Sequence, residues 1–146
     1  KKNKKKNQKK KFFFSFLCNF FFEKTHPKRF PTFRTRARVV VVLILDANHK
    51  NKDYGYKAAQ LCALNILGLI NIAMKGNFSK IKKCVRINGF VNCGKNFIEQ
   101  PFVINGASDL IKKIFKKKGL HTRTAIGVNS LPLNASVEID AIFLTK

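Results

Sequence analysis

Two apolar stripes at helical spacing, each followed by a stretch that reads as strand, limit this chain more than anything else in it. In "YGYKAAQLCALNILGLINIAMKG" (residues 54–76), Ala59, Cys62, Ala63, Ile66, Ile70 and Ala73 recur every three or four positions. One face of that helix must therefore pack on something large and apolar, and Gly76 is its expected C-terminal stop. A second stripe follows: Val103, Ile104, Ala107, Leu110, Ile111 and Ile114. Its helix is expected to start near Phe97, with Asn96 as N-cap and Pro101 tolerated in the first turn.

The strands are read from a different period. "RVVVVLILD" (residues 38–46) is a β-branched run bounded by charge, as in a buried strand. "IKKCVRINGFVN" alternates, which predicts Val85, Ile87 and Val91 on one face and Lys82, Cys84, Arg86 and Asn88 on the other. Two final strands are expected at residues 122–130 and 136–145. The order strand, helix, strand, helix, strand, strand predicts an α+β domain with both helices on one face of a mixed sheet. Inside the last two strands stand two charges, Arg123 and Glu138. A charge in a half-buried strand costs free energy unless it is paired, solvated or facing a ligand.

Composition matters here mainly for what it removes. The formal charge of +23 over 146 residues would ordinarily point to a polyanion. Residues 1–38 hold 14 Lys or Arg against one acid, a balance of +13, and nine of the 15 Phe. The remainder is only moderately basic. Residues 1–32 are accordingly read as a low-complexity basic and Phe-rich segment, and residues 33–146 as the domain. The run "KKNKKKNQKKKFFFSFLCNFFF" has the lysine-rich and apolar parts of a signal peptide but no small-x-small cleavage site after it. It is too short to span a bilayer, which takes about twenty residues. It is expected to reflect A-rich and T-rich DNA, which would leave the protein cytoplasmic; a genuine targeting signal would send it to an organelle or the secretory route.

Cys18, Cys62, Cys84 and Cys93 form no C-x-x-C, and His26, His49 and His121 are scattered, so no metal site and no redox motif is expected. There is no P-loop, no G-x-G-x-x-G and no G-x-S-x-G. The lysines at 112, 113, 116, 117 and 118 read as a solvated helix face without the interleaved aromatics of a single-strand groove, so nucleic acid is a disfavoured partner.

Taken together, "INGFVNCGKNFIEQPFVINGASDLIKKIF" and "GLHTRTAIGVNSLPLNASVEIDAIF" resemble the RidA/YjgF family, often labelled endoribonuclease L-PSP or chorismate-mutase-like. The helix "YKAAQLCALNILGLI" extends the likeness, which covers about residues 54–144. It is most similar to a subgroup with H-x-R before the last strands, where the better-studied deaminases have P-x-R. The resemblance implies a homotrimer with a small pocket at each subunit interface. It implies hydrolysis of reactive enamines and imines such as 2-aminoacrylate to 2-keto acids and ammonia, with no metal or organic cofactor. It places Arg123 on the substrate carboxylate and Glu138 at the water. His121, two residues from Arg123 on the same strand face, and Asn105 in "INGASD" are further candidates for substrate binding.

Two departures from the family stand out. Ala125 occupies the position of a cysteine found in the better-studied deaminases. The opening hairpin, whose second strand normally reads like "vyvSGqlP…G", is replaced by "FPTFRTRARVVVVLILDANHKNKD", where one strand can be placed but not a whole hairpin. The competing functions are a non-catalytic trimer that binds small carboxylates and, third in rank, an RNA-binding or endoribonuclease activity.

Overall fold

The computed structural model describes residues 18–23, 36–43 and 51–146. Five strands and two helices follow in the order β1 (Cys18–Glu23), β2 (Arg36–Leu43), α1 (Lys52–Ala73), β3 (Ile81–Asn92), α2 (Gln100–Phe115), β4 (Thr122–Val128) and β5 (Val137–Thr145). The sheet order is β1-β2-β5-β3-β4. β3 and β4 are parallel, and the other neighbours are antiparallel. Because β2 and β3 each run antiparallel to β5, they are parallel to one another. Parallel strands need a long crossover, and α1 and α2 supply the two crossovers.

Both helices cover one face of this sheet. Ile66, Ile70, Ile104 and Ile111 pack against Ile87, Ile139, Ala141 and Phe143 in one buried cluster. α1 is long and apolar enough by length and composition to cross a membrane, yet Ala58, Ala59, Cys62, Ala63, Ile66, Leu67 and Ile70 are buried in this core. Its N-terminus is capped by the Asn51 side chain, which accepts from the Asp53 N–H at 2.9 Å. Its C-terminus closes at Gly76, where φ is +78° and the N–H returns to the Asn71 carbonyl. Cys84 and Cys62 are buried thiols outside any disulfide, and burial pushes the Cys84 pKa up to about 12, so it serves the core as a small apolar residue.

Three expectations need correction. Within β3, Cys84 is buried while Val85 is 37% exposed, the reverse of the alternating pattern. Register shifts between Ile81 and Lys83 and between Cys84 and Arg86 move the phase of the strand, as bulges do. α2 starts at Gln100, with Glu99 and not Asn96 at the N-cap position and no side-chain cap. A helix begun at Phe97 would need the Pro101 N–H for its first full turn, and Pro has none. Lastly, the stretch set aside as residues 1–32 contributes β1, which pairs antiparallel with β2, so a two-stranded unit does precede α1.

Candidate functional site

β4 is an edge strand of the sheet, and Arg123 lies near its start in register with Ile87 of β3. Ile87 is a core residue, so Arg123 points to the helical side. There α2 presents Asn105 and Ser108, three residues apart and hence neighbours on one helix face. The Arg123 Nη1 donates to Asn105 Oδ1 and, at 3.5 Å, to Ser108 Oγ. Ser108 Oγ also lies 3.0 Å from His121 Nε2, and His121 Nδ1 lies 2.6 Å from the Gly119 carbonyl oxygen. Three of the candidate residues, Asn105, His121 and Arg123, therefore belong to one connected group.

The direction of each bond in this group is determined. A carbonyl only accepts, so His121 Nδ1 carries a hydrogen. Burial, together with the nearby Lys112 and Arg123 charges, lowers the His121 pKa, against a raising contribution from its bond to Gly119. The ring is then neutral near pH 7, and its bare Nε2 accepts from the Ser108 hydroxyl. The lone pairs of Ser108 Oγ are left for Arg123. Ser108 was not singled out in the sequence. It is 1% exposed, and the one available signal was its position three residues after Asn105 in "INGASD", on the face where a polar residue interrupts the apolar stripe.

Glu138 is elsewhere. It pairs with Phe90, three residues along β3 from Ile87 and beyond its bulges, so it faces the side of the sheet opposite to Arg123. No hydrogen bond or ion pair joins Glu138 to Arg123 among the described residues. Within one chain, therefore, this register directs the two charges to opposite faces of the sheet. On the face of Glu138 a polar chain crosses three strands. Arg86 donates to Thr124 Oγ1 at 3.2 Å and to Asn88 Oδ1 at 2.6 Å, and Asn88 donates to Asp140 Oδ2 at 3.1 Å. Burial first, and then the neighbouring Asp140 charge, raise the Glu138 pKa.

A cleft of about 660 Å³ opens at the other end of β3, lined by Tyr54, Asn92, Phe97, Asn129 and Ser136 among others. It includes none of the four candidate residues. Arg123 itself is exposed, so its site is open on the edge-strand side. Such a site can hold one end of an anion by two parallel N–H···O bonds, provided something else covers it.

Residues 29–144 match the family described as "YjgF/chorismate_mutase-like, putative endoribonuclease". A relative from Trypanosoma cruzi, Protein TCP17, is 44% identical over 89 residues, covering 60% of this chain and 55% of the relative. The chain thus spans about half the length of that curated relative. A solved structure of a protein of unknown function from Agrobacterium tumefaciens is 36% identical, covers 86% of this chain and 80% of its own, and superposes with a TM-score of 0.70. Another, from Shewanella oneidensis and bearing the same endoribonuclease label, covers 86% and 83% at 24% identity and a TM-score of 0.66, a likeness of fold.

Proposed function

Given that this chain belongs to the YjgF/chorismate-mutase-like family, we propose that it is a cofactor-free hydrolase of small enamine or imine acids, 2-aminoacrylate among them, working as a homotrimer. The observation that carries this reading is the Arg123 guanidinium. Its Nη1 is held by Asn105 and Ser108, which orients the plane and leaves the other N–H groups to grip a carboxylate.

In the reaction proposed, the enamine takes a proton from solvent at its terminal carbon and becomes the iminium ion. Water adds to the C=N carbon, the C–N bond breaks, and ammonia leaves together with the 2-keto acid. Arg123 binds the substrate carboxylate through both steps. Glu138 takes a proton from the attacking water, a role its raised pKa suits because a stronger base is then available near neutral pH. Since Glu138 and Arg123 lie on opposite faces of one sheet, the reading assigns each site an Arg123 from one protomer and Glu138 of the partner subunit. The exposed edge of β4 is where that partner would close the site.

Replacing Arg123 by Ala should lower turnover of freshly generated 2-aminoacrylate by about a hundredfold, the usual size of a lost charge-assisted anchor. The melting temperature should move by less than about 3 °C, because the side chain is exposed. Wild-type turnover in the variant would overturn the proposal. The separation of Glu138 from Arg123 within the chain also favours a second reading, a trimer that binds small 2-oxo acids without turning anything over. Saturable binding of pyruvate with no ammonia released from 2-aminoacrylate would select it.

A further inference from the structure

We propose that Ser108 is the positioning residue of this site: latched by His121, its hydroxyl sets the orientation in which Arg123 meets its ligand. The inference rests on the reading of Arg123 as a carboxylate anchor and adds to it a residue pair for which neither the family description nor the relatives account.

A serine inside a helix ordinarily turns its hydroxyl back to the carbonyl one turn earlier or out to water. Ser108 does neither; at 1% exposure its Oγ engages His121 at 3.0 Å and Arg123 at 3.5 Å, both outside its own helix. A hydroxyl owns one hydrogen and two acceptor sites. His121 fixes where the hydrogen goes, because Gly119 holds the ring by Nδ1 and leaves Nε2 as an acceptor. With the hydrogen committed, Oγ can only accept from the guanidinium. The result is a chain in which a backbone carbonyl orients an imidazole, the imidazole a hydroxyl, and the hydroxyl an arginine. The tight turn Lys116–Gly119 between α2 and β4 is what brings the imidazole within reach; a Cβ on Gly119 would lie 2.6 Å from the Ile111 carbonyl oxygen, so the turn admits no side chain there.

The charges that bear on His121 are cationic: Lys112 on α2 and Arg123 on β4. The intervening turn also carries Lys116, Lys117 and Lys118. A charged imidazole would repel the anchor it serves, so the ring works here as a neutral acceptor. Ser108 touches no substrate in this arrangement; it acts through Arg123.

The test uses the full chain with Ser108→Ala and Ser108→Thr. Loss of the hydroxyl should raise KM for 2-aminoacrylate, and the Kd for pyruvate, by about tenfold, the scale of one hydrogen bond to a charged group. It should leave kcat within about twofold, since the bond is made alike in ground and transition states. Thr, which keeps the hydroxyl, should return KM to within about threefold of wild type. Nitrogen NMR supplies a readout independent of catalysis. Wild type and Ser108→Thr should show a His121 ring protonated at Nδ1 and resolved Arg123 guanidinium N–H signals, while Ser108→Ala should show averaged Arg123 signals. A Ser108→Ala protein with wild-type KM, wild-type pyruvate affinity and resolved Arg123 signals would overturn the proposal. If the wild type released no ammonia, the deaminase reading would fall alone, and pyruvate binding and the Arg123 signals would still decide the role of Ser108.

Discussion

Arg123 announced itself in the sequence because a charge inside an alternating strand has to be explained, and Glu138 did so for the same reason. The structure gives the two charges different surroundings. Arg123 finds amide and hydroxyl partners on α2. Glu138 is half-buried beside Asp140 with its pKa raised. The sign of its effect on stability follows. Below the ordinary carboxyl value of 4.5 the group is protonated in both folded and unfolded chains and contributes nothing. As pH rises through the folded pKa, the unfolded chain ionises more easily and the fold loses stability. Glu138→Gln should therefore melt above wild type at pH 7.5 and level with it at pH 4. A lower melting temperature at pH 7.5 would mean that the carboxylate has a partner in the assembled protein. Ser108 escaped notice because a buried serine on a helix looks like any small core residue until the chain brings His121 to it.

At the level of elements, most of the helical layer could be read from periodicity, and the close approaches between layers could not. Gly106 marks the crossing of α1 and α2: a Cβ there would sit 2.0 Å from the Tyr56 carbonyl oxygen, which belongs to helix backbone and cannot step aside. Gly89 plays the same part between β3 and α2, where a Cβ would meet Ile104 at 2.2 Å. Gly68, by contrast, lies in the middle of α1 with nothing within 4 Å of its Cβ position. Two substitutions of identical chemistry should thus have opposite signs. Gly106→Ala should cost about 2–3 kcal/mol by forcing the helices apart. Gly68→Ala should stabilise by up to about 1 kcal/mol through the unfolded chain and helix propensity. Urea titration measures both, and equal effects would refute the packing described for α1 against α2. The misreading of Cys84 and Val85 has the same origin. An alternating pattern assumes an unbroken ladder, and the pairing of β3 with β5 is shifted twice near its start.

For the whole molecule, the register of five strands separates the two charged residues by the thickness of the sheet, and this has a consequence for assembly. If each site joins Arg123 of one protomer with Glu138 of the partner subunit, two inactive variants should repair one another. Refolding an equal mixture of Arg123→Ala and Glu138→Gln should recover about a quarter of the wild-type rate, because random cyclic assembly restores one intact site in four. Recovery should coincide with a species of three times the 16.7 kDa chain mass in sedimentation. An unmixed level of activity in a trimer of both variants would show that the sites are not shared.

The sequence by itself determined the helices, most of the strands, the layer to which the helices belong and the motif that carries the family likeness. These depend on side-chain period and on residues close together in the chain, where local sterics and apolar spacing suffice. Only the tertiary structure decided that β5 lies between β2 and β3, that Glu138 looks away from Arg123, and that Ser108 meets His121. Each of these depends on pairings between distant segments. In a sheet, one residue of shift reverses every side chain, so the face of a residue is known only when its ladder is known.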